Sequence, residues 1–195
     1  KWTRRAFIGA GLLSGGALVI GVAIRPGNRA SKVAGLIASG GETVMNIWLK
    51  IAPDNTVTAI IPHAEMGQGV HTALAMMLAD EMDADWSKVK FEEAPAEKEY
   101  ANYSVAKGFV AGNSSFPKFL DQTIEGIFLT AVKAMNIQIT GGSASVRFTG
   151  QDAMRIAGAA AKAMLLQAAA DSWKVPTEEL IAEKSTIKHP STNRS

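Results

Sequence analysis

Trp48-Leu49-Lys50-Ile51-Ala52-Pro53-Asp54-Asn55-Thr56-Val57-Thr58-Ala59-Ile60-Ile61-Pro62-His63-Ala64-Glu65-Met66-Gly67-Gln68-Gly69-Val70-His71-Thr72 decides how this chain folds. Ile47, Leu49 and Ile51 alternate with Asn46, Trp48 and Lys50, Pro53-Asp54-Asn55 supplies turn residues, and Val57, Ala59 and Ile61 alternate again. Two strands of a hairpin with one buried face are the simplest reading of that period of two. After Pro62 the period changes. A polar, glycine-bearing loop over 63–69 is followed by Val70, Leu74, Met77, Leu78 and Glu81 at helical spacing, which predicts a helix ending near Asp83.

Working outward, Val89 and Phe91 suggest a short strand, 100–115 reads as irregular, and 116–137 contains a second helical region. Thr140-Gly141-Gly142-Ser143-Ala144-Ser145 forms a second small-residue loop, and Thr149 with Asp152 three residues on resembles a capping box opening an alanine-rich helix that runs to about Trp173. Pro176-Thr177-Glu178-Glu179 starts a short helical turn, Ile187 suits a last strand, and the tail from Lys188 to Ser195 does not read as closing a fold. The class expected is α+β.

At the amino end, Thr3-Arg4-Arg5-Ala6-Phe7-Ile8 has the form of a twin-arginine export address. No charge follows from Ala6 to Ile24, roughly 28 Å as a helix, which predicts an uncleaved N-terminal transmembrane helix with Lys1, Arg4 and Arg5 on the cytoplasmic side. Gly11 and Gly15 form a G-x-x-x-G pair, which serves helix contact or is simply part of a glycine-rich leader. The expected organisation is 1–24 leader and anchor, 25–45 linker broken by Pro26, Gly27, Gly40 and Gly41, and 46–195 the domain proper, facing the periplasm of a bacterium.

Composition excludes several classes. The 195 residues carry a net charge of +2, with basic residues scattered, so nothing argues for nucleic acid. There is no cysteine, hence no disulfide framework, thiolate zinc site or iron–sulfur cluster held by this chain. His63 and His71 stand eight apart without the i,i+4 spacing of a helical metal pair. Glu65 is a general base by residue type only, Glu92, Glu93, Glu97 and Glu99 read as a solvated acidic face, and Met66, Met76, Met77 and Met82 as core filler.

Two loops carry the candidate chemistry: Gly67-Gln68-Gly69 and Gly141-Gly142-Ser143, with Ser145 beside the second. Each places glycines near the start of a helix, where backbone N–H groups face outward and a ligand can come close. Gln68 adds an amide that both donates and accepts, an inventory suited to a phosphate-bearing or pterin-like ligand. The same residues also serve plain tight turns. Neither loop follows the dinucleotide G-x-G-x-x-G or P-loop pattern.

With its flanks, Met66-Gly67-Gln68-Gly69-Val70-His71-Thr72 resembles the amino-terminal part of the molybdenum-binding large subunit of the xanthine oxidase family, in the branch of isoquinoline 1-oxidoreductase beta subunits and the membrane-bound aldehyde dehydrogenases of acetic acid bacteria. Ala75-Met76-Met77-Leu78-Ala79-Asp80-Glu81, Ala94-Pro95-Ala96 and Gly141-Gly142-Ser143-Ala144-Ser145-Val146 fit the same group. The resemblance implies that Gly67, Gln68, Gly69, Gly141, Gly142, Ser143 and Ser145 lie on a molybdopterin cytosine dinucleotide cofactor whose dithiolene carries molybdenum, with no metal ligand and no catalytic base from this chain. It further implies 2Fe–2S clusters on a small partner subunit, electrons passing to haem on a cytochrome c subunit or to a quinone, and an aldehyde or N-heterocycle as substrate with water as the oxygen source. Large subunits of the family run to several hundred residues. The later glycine-rich loop and the glutamate base are therefore expected on the remainder of the large subunit, and the chain is not expected to be active alone. The alternative is a non-catalytic, membrane-anchored assembly or scaffold protein built on the same domain.

Overall fold

Strand β3 (Val57–Ile61) is buried along its whole length, because both of its faces are covered. In the computed structural model, which describes residues 29–102, 107–108, 117 and 121–195, β3 is an inner strand of a four-stranded sheet. The order is β1 (Thr43–Asn46), β2 (Leu49–Ile51), β3, β4 (Val89–Glu93). β2 pairs antiparallel with β1 and β3, whereas β4 runs parallel to β3 in the register Val57 opposite Val89 and Ile61 opposite Glu93. A parallel neighbour needs a crossover, and helix α2 (Val70–Met82) supplies it.

Val57, Ala59 and Ile61 face α2 and the long helix α5 (Arg155–Trp173), meeting Leu74, Leu78, Met154 and Ala161. Ile60 faces the other way, into a second cluster with Val33 and Ile37 of helix α1 (Arg29–Ile37), Ile47 and Tyr100. The hairpin thus has two buried faces rather than one, and α1 occupies part of the stretch expected as a linker. The first expected strand is in fact two. The Asn46 side chain accepts the Trp48 N–H at 2.9 Å and donates to Ala157 O at 3.2 Å, which turns the chain between β1 and β2.

Lys50, expected on the solvent face, is 2% exposed. Its ammonium donates to Ile37 O at 2.7 Å and pairs with Glu42 at 3.0 Å and Glu92 at 2.9 Å. Burial opposes the charge, but the hydrogen bonds to Glu92 and Glu42 outweigh it and raise the Lys50 pKa. Lys50→Met keeps the apolar stem and strands the half-buried Glu42 carboxylate. It should cost about 1–3 kcal/mol, read as a lower denaturant midpoint. Glu99 is likewise buried rather than solvated, while Met66 and Met76 are 61% and 53% exposed rather than core.

Helix α3 covers Asp121–Ala134. The third helical stretch opens earlier than expected, at Ser143: α4 (Ser143–Thr149) continues through a π turn at Gly150–Met154 into α5. Thr149 has helical angles and caps nothing, so the capping-box reading fails. Strands β5 (Ile181–Glu183) and β6 (Thr186–Lys188) form a hairpin, and the tail beyond is tied in. Buried His189 bridges Glu179 at 2.8 Å and Thr192 at 2.6 Å.

The α+β class holds. The N-terminal transmembrane helix is the part that must be corrected: among the described residues no helix is long and apolar enough to cross a membrane. Residues 1–24, on which that helix was read, lie outside the described ones. The longest described helix, α5, carries Arg155, Lys162 and Asp171 within its span.

Candidate functional site

The two glycine loops, more than 70 residues apart in sequence, lie side by side because His63 ties them together. Its ring Nε2 lies 2.7 Å from Thr149 Oγ1 and its Nδ1 3.2 Å from Ile139 O. The Ala64 N–H donates to Thr140 Oγ1 at 2.9 Å. The carbonyl at Ile139 accepts, so Nδ1 carries the proton and Nε2 accepts from the Thr149 hydroxyl. His71 donates from Nε2 to His63 O at 2.8 Å. Burial, aided by nearby His71 and opposed by the Ile139 hydrogen bond, lowers the His63 pKa to about 4, so the strut is neutral at pH 7.

Residues 64–69 form an exposed loop between β3 and α2, with Gln68 half-buried. Gly69 stands at the head of α2 with φ 72° and ψ 24°, a left-handed conformation that favours glycine, and has no side chain to cap the helix. Glu65 does so instead. Its Oε1 accepts the N–H groups of Gly67 at 2.8 Å and Gly69 at 2.9 Å, and Oε2 lies 3.5 Å from the His71 nitrogen. These bonds, that from Gly69 foremost, hold the carboxyl below its ordinary pKa. Such a carboxylate is a poor proton acceptor, so Glu65 is not a base here. Gln68 closes the loop on itself: its Oε1 accepts from Met66 N at 2.6 Å and its Nε2 donates to Ala64 O at 2.9 Å. One of the two amide protons of Gln68 is left over.

In the second loop Gly142 adopts φ 56° and ψ −131°, which a side chain would strain. Ser145 is fully buried and braces the turn by accepting the Gly141 N–H at 2.7 Å, whereas Ser143 is exposed. A Cβ placed on Gly67, Gly69 or Gly142 would meet nothing within 4 Å, so the three glycines face open space. Among the described residues no group of three His, Cys, Asp or Glu side chains could hold a metal ion.

Sequence reasoning placed the loops but missed the His63–Thr149 strut and the inward use of Glu65. Nothing in the spacing marks the first, since its ends are 86 residues apart. The second had a signal: a carboxylate two and four residues ahead of glycines that lead into a helix.

Comparison with known proteins identifies the family. The family model described as "Molybdopterin cofactor-binding domain" matches residues 4–108, more than half of the chain. The chain is 31% identical over 152 residues to the isoquinoline 1-oxidoreductase subunit beta of Brevundimonas diminuta, covering 77% of this chain and 16% of that protein. It is 61% identical over 44 residues to the membrane-bound aldehyde dehydrogenase (pyrroloquinoline-quinone) of Gluconacetobacter polyoxogenes, covering 23% of this chain and 6% of that protein. The chain thus spans less than a fifth of the length of either relative. With the strand–loop–helix unit that carries Gly67-Gln68-Gly69 inside the matched segment, the chain belongs to the molybdopterin cofactor-binding domain family, the molybdenum-binding part of xanthine oxidase-type subunits.

Proposed function

We propose that this chain forms one wall of the molybdopterin site in a multi-subunit, molybdenum-dependent oxidoreductase that oxidises an aldehyde or an N-heterocycle with water as the oxygen source. The observation that carries the reading is that His63 and the Ala64–Thr140 bond join the two glycine loops side by side. The residues fit such a group. Gly67, Gly69 and Gly142 leave room for a ring system against the backbone, and Gln68 keeps one amide proton for an acceptor on it. Gly67, Gln68, Gly69, Gly141, Gly142 and Ser143 would hold the cofactor. Ser145 supports it indirectly, through Gly141.

When bound, the cofactor supplies the two-electron redox chemistry that no side chain here can perform. Gln68 orients it by hydrogen bonding, and the glycines let it approach the backbone. Neutral His63 keeps the two loops in register. The cytosine dinucleotide form, the remainder of the large subunit, an iron–sulfur subunit and a haem-bearing electron acceptor are part of the proposal, supported by the family and by the absence of cysteine. Export to the periplasm is also part of it, supported by Arg4-Arg5.

The test is made on the native complex. Molybdenum and released cytidine monophosphate should each approach one per copy of this chain. Gln68→Ala removes one hydrogen bond to the cofactor and one brace of the loop. Cofactor retention on dilution should weaken about 10-fold to 100-fold. A wild-type complex free of molybdenum would favour the scaffold alternative.

A further inference from the structure

We propose that Glu65 is a built-in anion: its carboxylate fills the amide cradle of Gly67, Gly69 and His71 and thereby sets the loop in its ligand-accepting shape, leaving Gln68 and the open glycine faces to meet the cofactor. The inference rests on the functional reading above and adds a positioning residue to it.

Three observations carry it. Helix α2 begins without any acidic residue in its first turn and with a glycine at its N-cap that offers no side chain, so its unpaired N–H groups need an acceptor from elsewhere. Glu65 reaches in from the preceding loop: one oxygen accepts the N–H groups of the loop residue Gly67 and of Gly69 at the N-cap, while the other faces the nitrogen of His71 in the first turn. A negative charge at that end of a helix is also favoured by the peptide dipoles. Gln68 then spans the same loop from Met66 to Ala64, so the turn is fixed by two side chains rather than by its glycines. An anionic part of the cofactor cannot share the cradle with a carboxylate. Its negative groups must therefore sit away from the Gly67 and Gly69 amides, which is opposite to the use expected of glycine loops at helix starts.

The experiment compares the native complex with its Glu65→Ala and Glu65→Gln forms, reading amide hydrogen exchange over residues 64–72 and molybdenum content together. Glu65→Ala should speed exchange at Gly67 and Gly69 at least about 10-fold and lower molybdenum content. Glu65→Gln, which keeps one neutral acceptor, should fall between and also serves where the alanine form does not accumulate. Acetate, a free carboxylate of the right size, should slow exchange again in Glu65→Ala and leave the wild type unchanged. Exchange in Glu65→Ala equal to wild type, or indifference of that variant to acetate, overturns the proposal. A wild-type complex that lacks molybdenum but protects the two amides overturns the functional reading and leaves the role of Glu65 standing. A molybdenum-loaded complex indifferent to Glu65→Ala does the reverse.

Discussion

Gly158→Leu is expected to destabilise the protein by about 3 kcal/mol, and Gly158→Ala by about 1 kcal/mol, although alanine is the better helix former. Gly158 lies inside α5 where that helix crosses α2. A Cβ there would stand 2.6 Å from the Leu78 carbonyl oxygen and 3.0 Å from Glu81 Cβ. The first obstacle is helix backbone, which cannot swing aside, so the helices must separate. Alanine gains roughly 0.5–1 kcal/mol of helix propensity and loses about 1–3 kcal/mol to overpacking, leaving a net loss. Leucine adds three more carbons to the same gap. The crossing has little freedom to slide, because Arg155 pairs with Glu81 at 2.6 Å and Lys162 pairs with Asp83. Gly126 in α3 is the control. A Cβ there meets nothing within 4 Å, so Gly126→Ala should gain roughly 0.5–1 kcal/mol. Denaturant midpoints of the three variants read the opposite signs directly. Equal gains at positions 126 and 158 would mean that α2 and α5 do not pack as described.

The small residues around Gly158 were legible as a close-packing face, and so was much else that depends on neighbours in sequence. The strand at Val57–Ile61, the helix from Val70, its end at Asp83 in a left-handed cap, and the end of α5 at Trp173 all follow from local periodicity and turn chemistry. What could not be read depends on partners far along the chain. Lys50 looks like a solvent-facing strand residue until Glu42 and Glu92 close over it. Thr149 looks like a helix cap because Asp152 follows it, yet Ser143 had already started the helix and the hydroxyl was committed to His63. His189 looks like part of a loose tail until Glu179 reaches it. The loops of the candidate site were visible as composition. Their adjacency was not, since it is made by His63 and the Ala64–Thr140 bond, whose partners have no sequence signature.

Acidification should therefore weaken this protein through that histidine. Burial first, with His71 adding to it and the Ile139 hydrogen bond opposing, sets the His63 pKa at about 4 in the folded chain, against about 6.5 for a free imidazole. Between those values the unfolded chain binds a proton that the folded chain does not, so stability falls as pH drops from about 6.5 to about 4. Above that interval both states are neutral and below it both are charged, so the slope vanishes outside it. The full loss across it is of order 3 kcal/mol. Carboxylates such as Glu42 and Glu65 lose their own contributions as pH falls through and below their ordinary range, so total stability is not diagnostic. The difference between wild type and His63→Gln is. Glutamine can still offer one donor and one acceptor to Ile139 and Thr149 but does not titrate. At pH 7 it should cost about 1–2 kcal/mol for poorer packing, and near pH 4 that deficit should shrink or reverse. Because the same ring holds the two loops together, cofactor release from the wild-type complex should rise through the same pH interval and flatten in His63→Gln. Parallel stability curves for the two proteins from pH 7 to pH 4 would place the acid-sensitive group elsewhere, and the loops would then need another tie than His63.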